Sequence, residues 1–366
     1  MNVPKIRFSE FNNDYEKLKY GDVLKIKSGR DQKQVECENG KYPILGTGGE
    51  IGRTNSFLYN KPSVLIGRKG TINKPQYMET PFWTVDTLFY SEIFDKCHPK
   101  YLYYSFQNVN WKKYDESTGV PSLSCSTIEK VDCYIPKKTE QIKVSNFLSL
   151  LDKKIELQYK KIEDLKLFKL SQSNLIKIDD SYKKISLKNI LKEYNERSTI
   201  NNQYEILSST AKGIFLQSEY FNKQAASENN IGYKILRKNQ LVLSPQNLWM
   251  GNININNKYE VGIVSPSYKI FDINTNVINI EYFKNWIKSP RALYEYMISS
   301  EQGASIVRRY LNMDLFIEIT LSVPNMNEQN KIGKMLSLID NKILLEEDKY
   351  KKLLELKKGL MQNMFV

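Results

Sequence analysis

One long stretch occurs twice in this chain, and this repeat constrains the fold more than any other feature. The first copy begins at Pro136 and the second at Pro324, and about 14 of 34 aligned positions are identical without a gap. Both copies open with Pro-x-x-x-Glu-Gln-x-Lys. The offset of roughly 188 residues is too long for a solenoid, whose units recur every ~20–50 residues. We therefore expect a duplicated unit, made of a globular segment followed by this stretch.

Each copy of the repeat has the composition of a long helix, with many Leu, Ile, Lys and Glu residues that helices accept well. Its apolar residues recur at the three- and four-residue spacing of a coiled-coil seam. The first copy contributes Leu148, Leu151, Ile155, Ile162 and Leu165, and the second contributes Leu336, Ile339, Ile343, Tyr350 and Leu353. The repeat thus predicts two long helices that pair.

One position of the seam is polar in both copies, Gln158 in the first and Glu346 in the second. A solvated gap in an imperfect coiled coil would explain this. Alternatively, the polar residue sets the register between the two helices, which is a known use of buried polar seam positions.

The order of the segments also predicts the direction of pairing. The first helix leads from the first globular segment to the second, and the second helix must lead back. We therefore expect an α+β protein with two similar globular domains separated by two antiparallel helices and related by a pseudo-two-fold axis. A helix of about 35 residues at ~1.5 Å per residue spans roughly 50 Å.

Composition indicates a polyanionic partner. The 366 residues suffice for two or three domains, and the net charge is +13. Each helix carries eight basic residues against five or six acidic ones, so most of the surplus lies in the globular segments. A basic surplus there favours nucleic acid over a membrane as the partner. The alternative is the ordinary surface of a protein rich in lysine and asparagine.

Several classes of site and location are disfavoured. The four cysteines form no Cys-x-x-Cys pair, and with His98 as the single histidine we expect no metal site. No signal peptide is recognisable and no apolar run reaches 18 residues, so we expect a cytoplasmic protein without a membrane partner.

The sequence of the globular segments predicts short strands separated by glycine-rich turns. Residues 1–14 are polar and expected to fray. Residues 15–30 and 182–197 echo each other in their apolar positions: Leu18 with Ile185, Val23 with Ile190 and Leu24 with Leu191. Further along, we predict a loop at 41–54, a strand and turn at 63–75, a strand at 82–90, and helices at 100–112 and 281–299.

The order of these features resembles the specificity subunit of type I restriction-modification systems. The resemblance covers nearly the whole chain and is carried by the two Pro-x-x-x-Glu-Gln-x-Lys helix entries, by Ile-Gly-Arg-Lys-Gly at 66–70, and by Gly-Ile-Val-Ser-Pro-Ser-Tyr at 262–268. It implies two target-recognition domains that each read one half of a split DNA site. It also implies that the paired helices act as a spacer and dock methyltransferase subunits.

The resemblance further implies that other chains carry the chemistry. Partners would be double-stranded DNA, two methyltransferase subunits and, through the complex, restriction subunits. S-adenosylmethionine, ATP and Mg²⁺ would belong to those subunits, with no cofactor in this chain. On this reading the domains are 1–138 and 179–325, and the spacer helices are 139–178 and 326–366.

Motifs for catalysis are missing from the chain itself. Gly-Thr-Gly-Gly-Glu-Ile-Gly at 46–52 has one residue too many for a dinucleotide loop and lacks the Lys-Ser/Thr of a P-loop. Ser-Pro-Ser-Tyr at 265–268 lacks the amide residue of a methyltransferase tetrad. We therefore expect a non-catalytic chain. The alternatives are a scaffold that binds RNA or protein through its domains and dimerises through its helices, or a standalone methyltransferase or nuclease.

Candidate DNA contacts lie in loops that combine cations, small polar residues and aromatics. An ordinary surface role is the alternative for each, and a place in the core is the alternative for Trp249. The candidates are Arg53, Arg68, Lys69, Thr71, Lys74 and Ser122 in the first domain, and Ser209, Thr210, Lys212, Gln246, Asn247, Trp249, Arg308 and Arg309 in the second.

Candidate partner contacts lie on the helices, which carry more apolar residues than one seam requires. A surplus apolar face predicts a further contact surface, either for the chain's own domains or for another subunit. The residues outside the seam are Phe147, Leu150, Leu157, Leu338 and Leu345.

Overall fold

The computed structural model describes residues 2–174, 182–220, 229–302 and 309–366. The chain forms two compact units, one of Met1–Lys160 with Glu347–Val366 and the other of Lys161–Glu346. Both long helices are therefore shared, since each contributes one part to each unit.

The first unit contains three small sheets and two short helices before the first long helix. Its strands are β1 (Glu16–Lys19), β2 (Leu24–Lys27), β3 (Tyr42–Gly46), β4 (Gly49–Thr54), β5 (Ser63–Gly67), β6 (Gln76–Met78), β7 (Trp83–Thr84), β8 (Leu88–Ile93) and β9 (Asp132–Ile135). Its helices are α1 (Pro99–Asn108), α2 (Cys125–Lys130) and the start of α3 (Lys138–Asn174).

The second unit follows a similar plan with additional hairpins. Its strands are β10 (Lys183–Ser186), β11 (Leu191–Tyr194), β12 (Leu207–Thr210), β13 (Gly213–Leu216), β14 (Lys234–Arg237), β15 (Leu241–Leu243), β16 (Ile253–Ile255), β17 (Val261–Val264), β18 (Lys269–Ile273), β19 (Ser300–Gln302), β20 (Arg309–Leu311) and β21 (Thr320–Val323). Its helices are α4 (Leu187–Ile190), α5 (Gln217–Tyr220), α6 (Ile280–Trp286), α7 (Pro290–Ile298), α8 (Met313–Glu318) and the start of α9 (Met326–Met364).

The two units repeat the same central topology. The first has a four-stranded antiparallel sheet of order β2-β8-β5-β6, and the second has one of order β11-β18-β15-β16. In each unit the strand that enters the domain pairs with the strand that leaves it, β1 with β9 and β10 with β21. Leu18 and Ile185 occupy matching places in these ladders, opposite Cys133 and Leu321. The predicted duplication is confirmed.

Each unit buries its own aromatic core against the four-stranded sheet. In the first unit Tyr20, Phe106 and Trp111 are fully buried, and the Trp111 indole donates to the Phe106 carbonyl at 2.8 Å. In the second unit Phe283 and Tyr296 are fully buried. Side chains of this size supply much of the burial that stabilises a small domain.

A buried glutamine attaches the start of each long helix to its domain. In the first unit the Gln141 Oε1 accepts the backbone N–H of His98 at 2.7 Å, and its Nε2 donates to the Pro136 carbonyl at 2.8 Å. His98 is the residue that precedes α1. The glutamine therefore satisfies one backbone group at the start of α1 and one just before α3.

The second unit repeats this arrangement with Gln329. Its Oε1 accepts the backbone N–H of Asn279, the residue that precedes α6, at 2.9 Å. Its Nε2 donates to the Pro324 carbonyl at 3.0 Å. The Glu-Gln pair of the sequence repeat thus has a structural role, and the glutamine performs it in both copies.

The glutamate of the pair has different surroundings in the two units. Glu140 is buried, receives the Arg7 guanidinium at 2.7 and 2.8 Å, and accepts the Tyr15 hydroxyl at 3.0 Å. Glu328 is exposed. The prediction that residues 1–14 fray is wrong over the described residues 2–14, because Arg7 is paired with Glu140 and the Ile6 N–H donates to the Asn363 carbonyl at 2.8 Å.

Within each unit the parts of α3 and α9 run antiparallel, as predicted. In the first unit Lys357 pairs with Asp152 at 2.6 Å. In the second Lys169 pairs with Asp340 at 2.6 Å. The predicted stripe is confirmed, since Leu148 and Leu336 are fully buried and every other seam residue is buried or half-buried.

The polar seam residue Glu346 is fully buried, and this excludes a solvated gap at that position. Its Oε1 lies 3.0 Å from the Nζ atoms of both Lys161, on α3, and Lys342, on α9. Both lysine side chains remain half-exposed, so the ammonium groups keep water while the carboxylate is covered. The contact between Glu346 and Lys161 supports the register interpretation, because a helix shift would leave the buried carboxylate without the lysine of α3.

Three local predictions are wrong in detail. Residues 41–54 form the hairpin β3–β4 and not a loop. The strand predicted at 82–90 is divided into β7 and β8. The helix predicted at 281–299 is divided into α6 and α7, because Ser289 caps the second helix through its hydroxyl and Pro290 occupies its first turn. The predicted domain boundaries remain predictions.

The buried glutamines give a first testable prediction. Gln141→Leu and Gln329→Leu each keep the side-chain size but leave a buried N–H and a buried carbonyl without a partner, at a cost of roughly 1–3 kcal/mol. We expect each variant to unfold at lower urea concentration than wild type, measured by circular dichroism. The control is Lys331→Ala, an exposed change on α9, which should stay within about 0.5 kcal/mol of wild type. Leucine variants as stable as this control would contradict the assigned role.

The buried carboxylate gives a second prediction. Glu346→Ala should lower stability by roughly 1–3 kcal/mol, because it removes a satisfied buried acceptor and leaves a void. Glu346→Leu should be neutral or stabilising, since an apolar side chain can replace a buried ion pair without the desolvation cost. Thermal unfolding of both variants, with the exposed Glu355→Ala as control, tests this. An alanine variant as stable as wild type would show that the position tolerates solvent.

Candidate nucleic-acid interface

The predicted turn at 66–70 is a tight turn that requires both of its glycines. A Cβ at Gly67 would lie 2.4 Å from the Thr71 carbonyl oxygen, and Gly70 has a φ of +83°. The turn is held to the 119–124 loop by two backbone bonds, from the Gly70 N–H to the Pro121 carbonyl at 2.8 Å and from the Leu123 N–H to the Arg68 carbonyl at 2.9 Å. The sequence-predicted residues Arg68, Lys69 and Ser122 are thereby brought together.

The interruption between β7 and β8 has a structural use. The Val85 N–H donates to the Leu45 carbonyl at 3.1 Å, and the Thr87 carbonyl accepts the Arg68 N–H at 2.8 Å. Two residues apart, Val85 and Thr87 thus connect the β3–β4 hairpin sheet and the Arg68 turn. A continuous strand over 82–90 could not supply both contacts.

The cations of the first unit differ in their availability. Arg68, Lys69 and Lys74 are exposed and form no ion pair with the described residues. Arg53, on β4, is exposed but paired with Glu50 at 3.1 Å. Thr71 is half-buried in the turn. Arg68, Lys69 and Lys74 can therefore contact an anion without first breaking an ion pair.

An acidic side chain organises the neighbouring loop. Asp115 accepts the backbone N–H groups of Ser117 and Ser122 at 3.0 and 2.9 Å. The Ser122 and Ser117 contacts lower the pKa of Asp115 below its ordinary value, because they stabilise the carboxylate. The carboxylate thus holds the Ser122 backbone in place.

In the second unit the candidate residues 209, 210 and 212 belong to the hairpin β12–β13. Thr210 pairs with Gly213, so Ala211 and Lys212 form the two-residue tip, and Lys212 is exposed. The Thr210 hydroxyl donates to the Gly213 carbonyl at 3.2 Å and accepts the Lys212 N–H at 3.1 Å. Thr210 shapes the tip, and Lys212 is the cation that the tip presents.

Ser209 does not reach the surface. Its hydroxyl donates to the Asn252 Oδ1 at 2.9 Å and accepts from the Asn254 Nδ2 at 2.8 Å, and all three residues are buried. Asn254 on β16 and the buried Asn252 and Asn256 at its two ends alternate with isoleucines that pack into the core. Ser209 therefore forms its hydrogen bonds inside the domain, and the prediction that it contacts DNA directly is not supported.

The candidates 246, 247 and 249 lie in the loop and short 3-10 turn after β15. Gln246 is exposed, whereas Asn247 and Trp249 are half-buried. The Gln246 carbonyl accepts the Arg309 N–H at 3.4 Å, which places this loop beside β20. Trp249 is therefore neither buried in the core nor fully exposed.

The Arg309 guanidinium is engaged within its own unit. It donates to the Ser300 hydroxyl at 2.8 Å and to the Ser300 carbonyl at 2.6 Å. A contact from Arg309 to a phosphate would compete with these bonds. Arg308 lies outside the described residues.

Sequence reasoning missed Lys288, which lies among these elements. Its Nζ donates to the Ala211 carbonyl in the hairpin tip at 3.1 Å and to the Gly251 carbonyl after the 3-10 turn at 2.8 Å. Burial lowers the pKa of Lys288 from the ordinary 10.5 to about 8. The sequence signal that could have found it is Ser289-Pro290. This pair predicts a break between two helices, and Lys288 lies in that break, between α6 and α7.

The surplus apolar residues of the helices are exposed, as a contact surface requires. Leu150 and Leu157 in the first unit, and Leu338 and Leu345 in the second, have between 57% and 69% of their surface exposed. Phe147 is 38% exposed and packs edge-on against Phe8 at 5.8 Å. The N-terminal segment therefore covers part of Phe147 and leaves the four leucines open.

Two negative findings concern the described part of the chain. None of its helices combines the length and apolarity needed to cross a membrane. No three His, Cys, Asp or Glu side chains within it are grouped as metal ligands. His98 bonds through its ring to the Ser145 hydroxyl at 3.1 Å, beside Gln141.

Comparison with known proteins agrees with this architecture. The family model described as the type I restriction modification DNA specificity domain matches residues 12–167. The S subunit of a type I restriction-modification system from M. genitalium is 17% identical and superposes with a TM-score of 0.66 over 100% of this chain and 99% of that chain. A chain from a structure on complex assembly and conformational transition of the type I R-M system is 9% identical, with a TM-score of 0.55 over 95% and 96%.

At these identities the solved structures establish the fold, and the family model establishes the kind of domain. The duplicated topology, the paired helices and the matched domain agree with one another. Residues 12–167 therefore match the family model of the type I restriction modification DNA specificity domain, and the whole chain shares the fold of the S subunit from M. genitalium.

Proposed function

We propose that this protein is the DNA sequence-recognition subunit of a type I restriction-modification complex, in which each globular domain binds one half of a bipartite target. The observation that carries the proposal is the repetition of one sheet topology with different surface loops in the two units. One scaffold used twice with different loops suits a protein that reads two different short sequences. The net charge of +13 supplies attraction to the phosphate backbone.

The loops divide into residues suited to phosphates and residues suited to bases. In the first domain Arg68, Lys69 and Lys74 are exposed and unpaired among the described residues, and arginine can bond guanine at two atoms. In the second domain the exposed Lys212 is suited to a phosphate. The exposed Gln246 is suited to a base, because glutamine can bond adenine at two atoms.

The chain itself directs chemistry that other subunits perform. On this proposal methyltransferase subunits bring S-adenosylmethionine for adenine methylation, and restriction subunits bring ATP and Mg²⁺ for cleavage. The complex works in the cytoplasm, beside the DNA that it modifies. An interaction scaffold with a dimerising helix pair is not favoured, since the matched family is a DNA specificity domain.

The exposed leucines of the helices form the proposed contact surface for methyltransferase subunits. In each unit the seam leucines are buried or half-buried, whereas the surplus leucines are exposed and available to another chain. Two similar surfaces, one on each unit, suit two methyltransferase subunits. Exposed apolar side chains in such number are typical of protein contact sites.

The cations of the first domain give a third prediction. Arg68→Ala and Lys69→Ala should each weaken duplex binding and reduce the slope of log affinity against log salt by about one, if each contacts a phosphate. A gel-shift series in increasing salt on duplex DNA and on duplex RNA measures this. The control is Lys17→Ala, an exposed lysine on β1 paired with Asp132 at 2.9 Å. Equal binding of RNA would favour the scaffold alternative.

If Arg68 reads a guanine, its replacement should also relax the sequence preference at one position of the target, at a cost of roughly 1–3 kcal/mol. A uniform loss over all sequences would assign Arg68 to the backbone. Unchanged affinity and unchanged slope in both variants would remove this turn from the interface.

The independence of the domains gives a fourth prediction. Replacing residues 182–323 by the second domain of another family member should change only one half of the methylated motif. The reason is that each domain has its own core and its own loops. Methylome sequencing of cells that carry the chimera with its partner subunits is the measurement. A change in both halves would show that the domains do not read separately.

The docking surface gives a fifth prediction. Leu157→Asp and Leu345→Asp together should abolish co-purification of the methyltransferase subunit, because both side chains are exposed and a charge there opposes an apolar contact. The fold should persist, as judged by circular dichroism. Lys154→Asp, an exposed change on the same helix, is the matched control for charge. Normal co-purification of the double variant would rule out this surface.

A further inference from the structure

The second unit contains a basic cavity that the recognition loops do not explain. It has a volume of about 450 Å³ and lies entirely within the described residues of that unit. The hairpin β12–β13, the end of β16, the α6–α7 junction and parts of α3 and α9 enclose it. Its charged lining consists of five lysines and one aspartate, namely Lys169, Lys212, Lys258, Lys284, Lys288 and Asp340.

The single carboxylate of the lining is already occupied. Asp340 pairs with Lys169 at 2.6 Å. Lys284 approaches Glu281 of its own helix at 3.5 Å, and Lys258 lies 4.8 Å from the ring centre of Tyr259. Lys212 and Lys288 have no carboxylate within ion-pair distance among the described residues. The cavity therefore carries an excess of positive charge.

Lys288 has a defined position in the wall. Its ammonium group donates to the carbonyls of Ala211 and Gly251, so two of its three N–H donors are held and one remains. Burial without a counter-charge lowers its pKa to about 8. An anion in the cavity would offset the cost of burying the charge.

The remaining wall is partly apolar. Ile214 and Phe215 line it, and the Phe215 ring stacks on Tyr220 at 5.1 Å. A volume of this size accepts a phosphate group together with part of the molecule that carries it. Lysine ammonium groups are compact point charges that can bind phosphate oxygens.

We propose that this cavity binds a phosphate group, with Lys212 and Lys288 as its main ligands. The phosphate can belong to the DNA backbone held by the second domain or to a free phosphorylated molecule, and the chemistry at the lysines is the same. The first source rests on the proposed recognition function, and the second does not. Lys288 and Lys212 are the residues to test, because neither has a carboxylate partner.

The first arm of the experiment measures inorganic phosphate binding to the full chain by calorimetry at low ionic strength. Lys288→Met and Lys212→Met should each weaken the affinity at least tenfold. Lys192→Met, an exposed change on β11 outside the cavity, should leave it unchanged. Lys212 is exposed at the hairpin tip, so its variant keeps the test decisive if loss of the Lys288 contacts prevents folding.

The second arm measures binding of a duplex DNA of about 30 base pairs at several salt concentrations. If the phosphate belongs to DNA, each variant lowers the salt slope by about one and inorganic phosphate competes with the duplex. If it belongs to a free molecule, phosphate binding is lost while DNA affinity stays. The proposal is overturned if both variants match wild type in phosphate affinity and in salt slope. A wild-type chain that binds phosphate but no DNA would refute the recognition function alone.

Discussion

The interaction on which both halves of this structure depend is the buried glutamine at the start of each long helix. Each glutamine bonds the backbone just before its own long helix and the backbone at the start of a second helix. For Gln141 the second helix is α1, and for Gln329 it is α6. These bonds help to fix the direction in which each long helix leaves its domain. The two bonds set that exit, and the unsatisfied groups left by their loss would be buried.

The helix seam adds a second constraint. Apolar side chains such as Leu148 and Leu336 supply the burial, but an apolar stripe alone tolerates a slip of one helix along the other. The buried Glu346 opposes that slip, because its carboxylate is satisfied by Lys161 across the seam and by Lys342 on its own helix. Specificity of register and stability thus come from different residues.

The proposed recognition surfaces follow from how backbone groups are shared between loops. The turn at Arg68 is held by Thr87 and by the 119–124 loop, and the hairpin tip at Lys212 is held by Lys288. In each domain the exposed cation is therefore placed by a partner distant in sequence. The loops can differ between the domains while the sheet beneath them stays the same. This arrangement suits two domains that share one scaffold and recognise DNA independently.

The sequence by itself determined the duplication, the two helices and their seam, because these depend on periodicity and composition that are local and repeated. It also placed the Arg68 turn, whose glycines are required by local geometry. Only the tertiary structure decided that Ser209 is buried, that Arg309 is engaged by Ser300, and that Lys288 reaches the hairpin tip. Those outcomes depend on hydrogen bonds between segments far apart in the chain, and no local pattern records which partner a polar side chain will find.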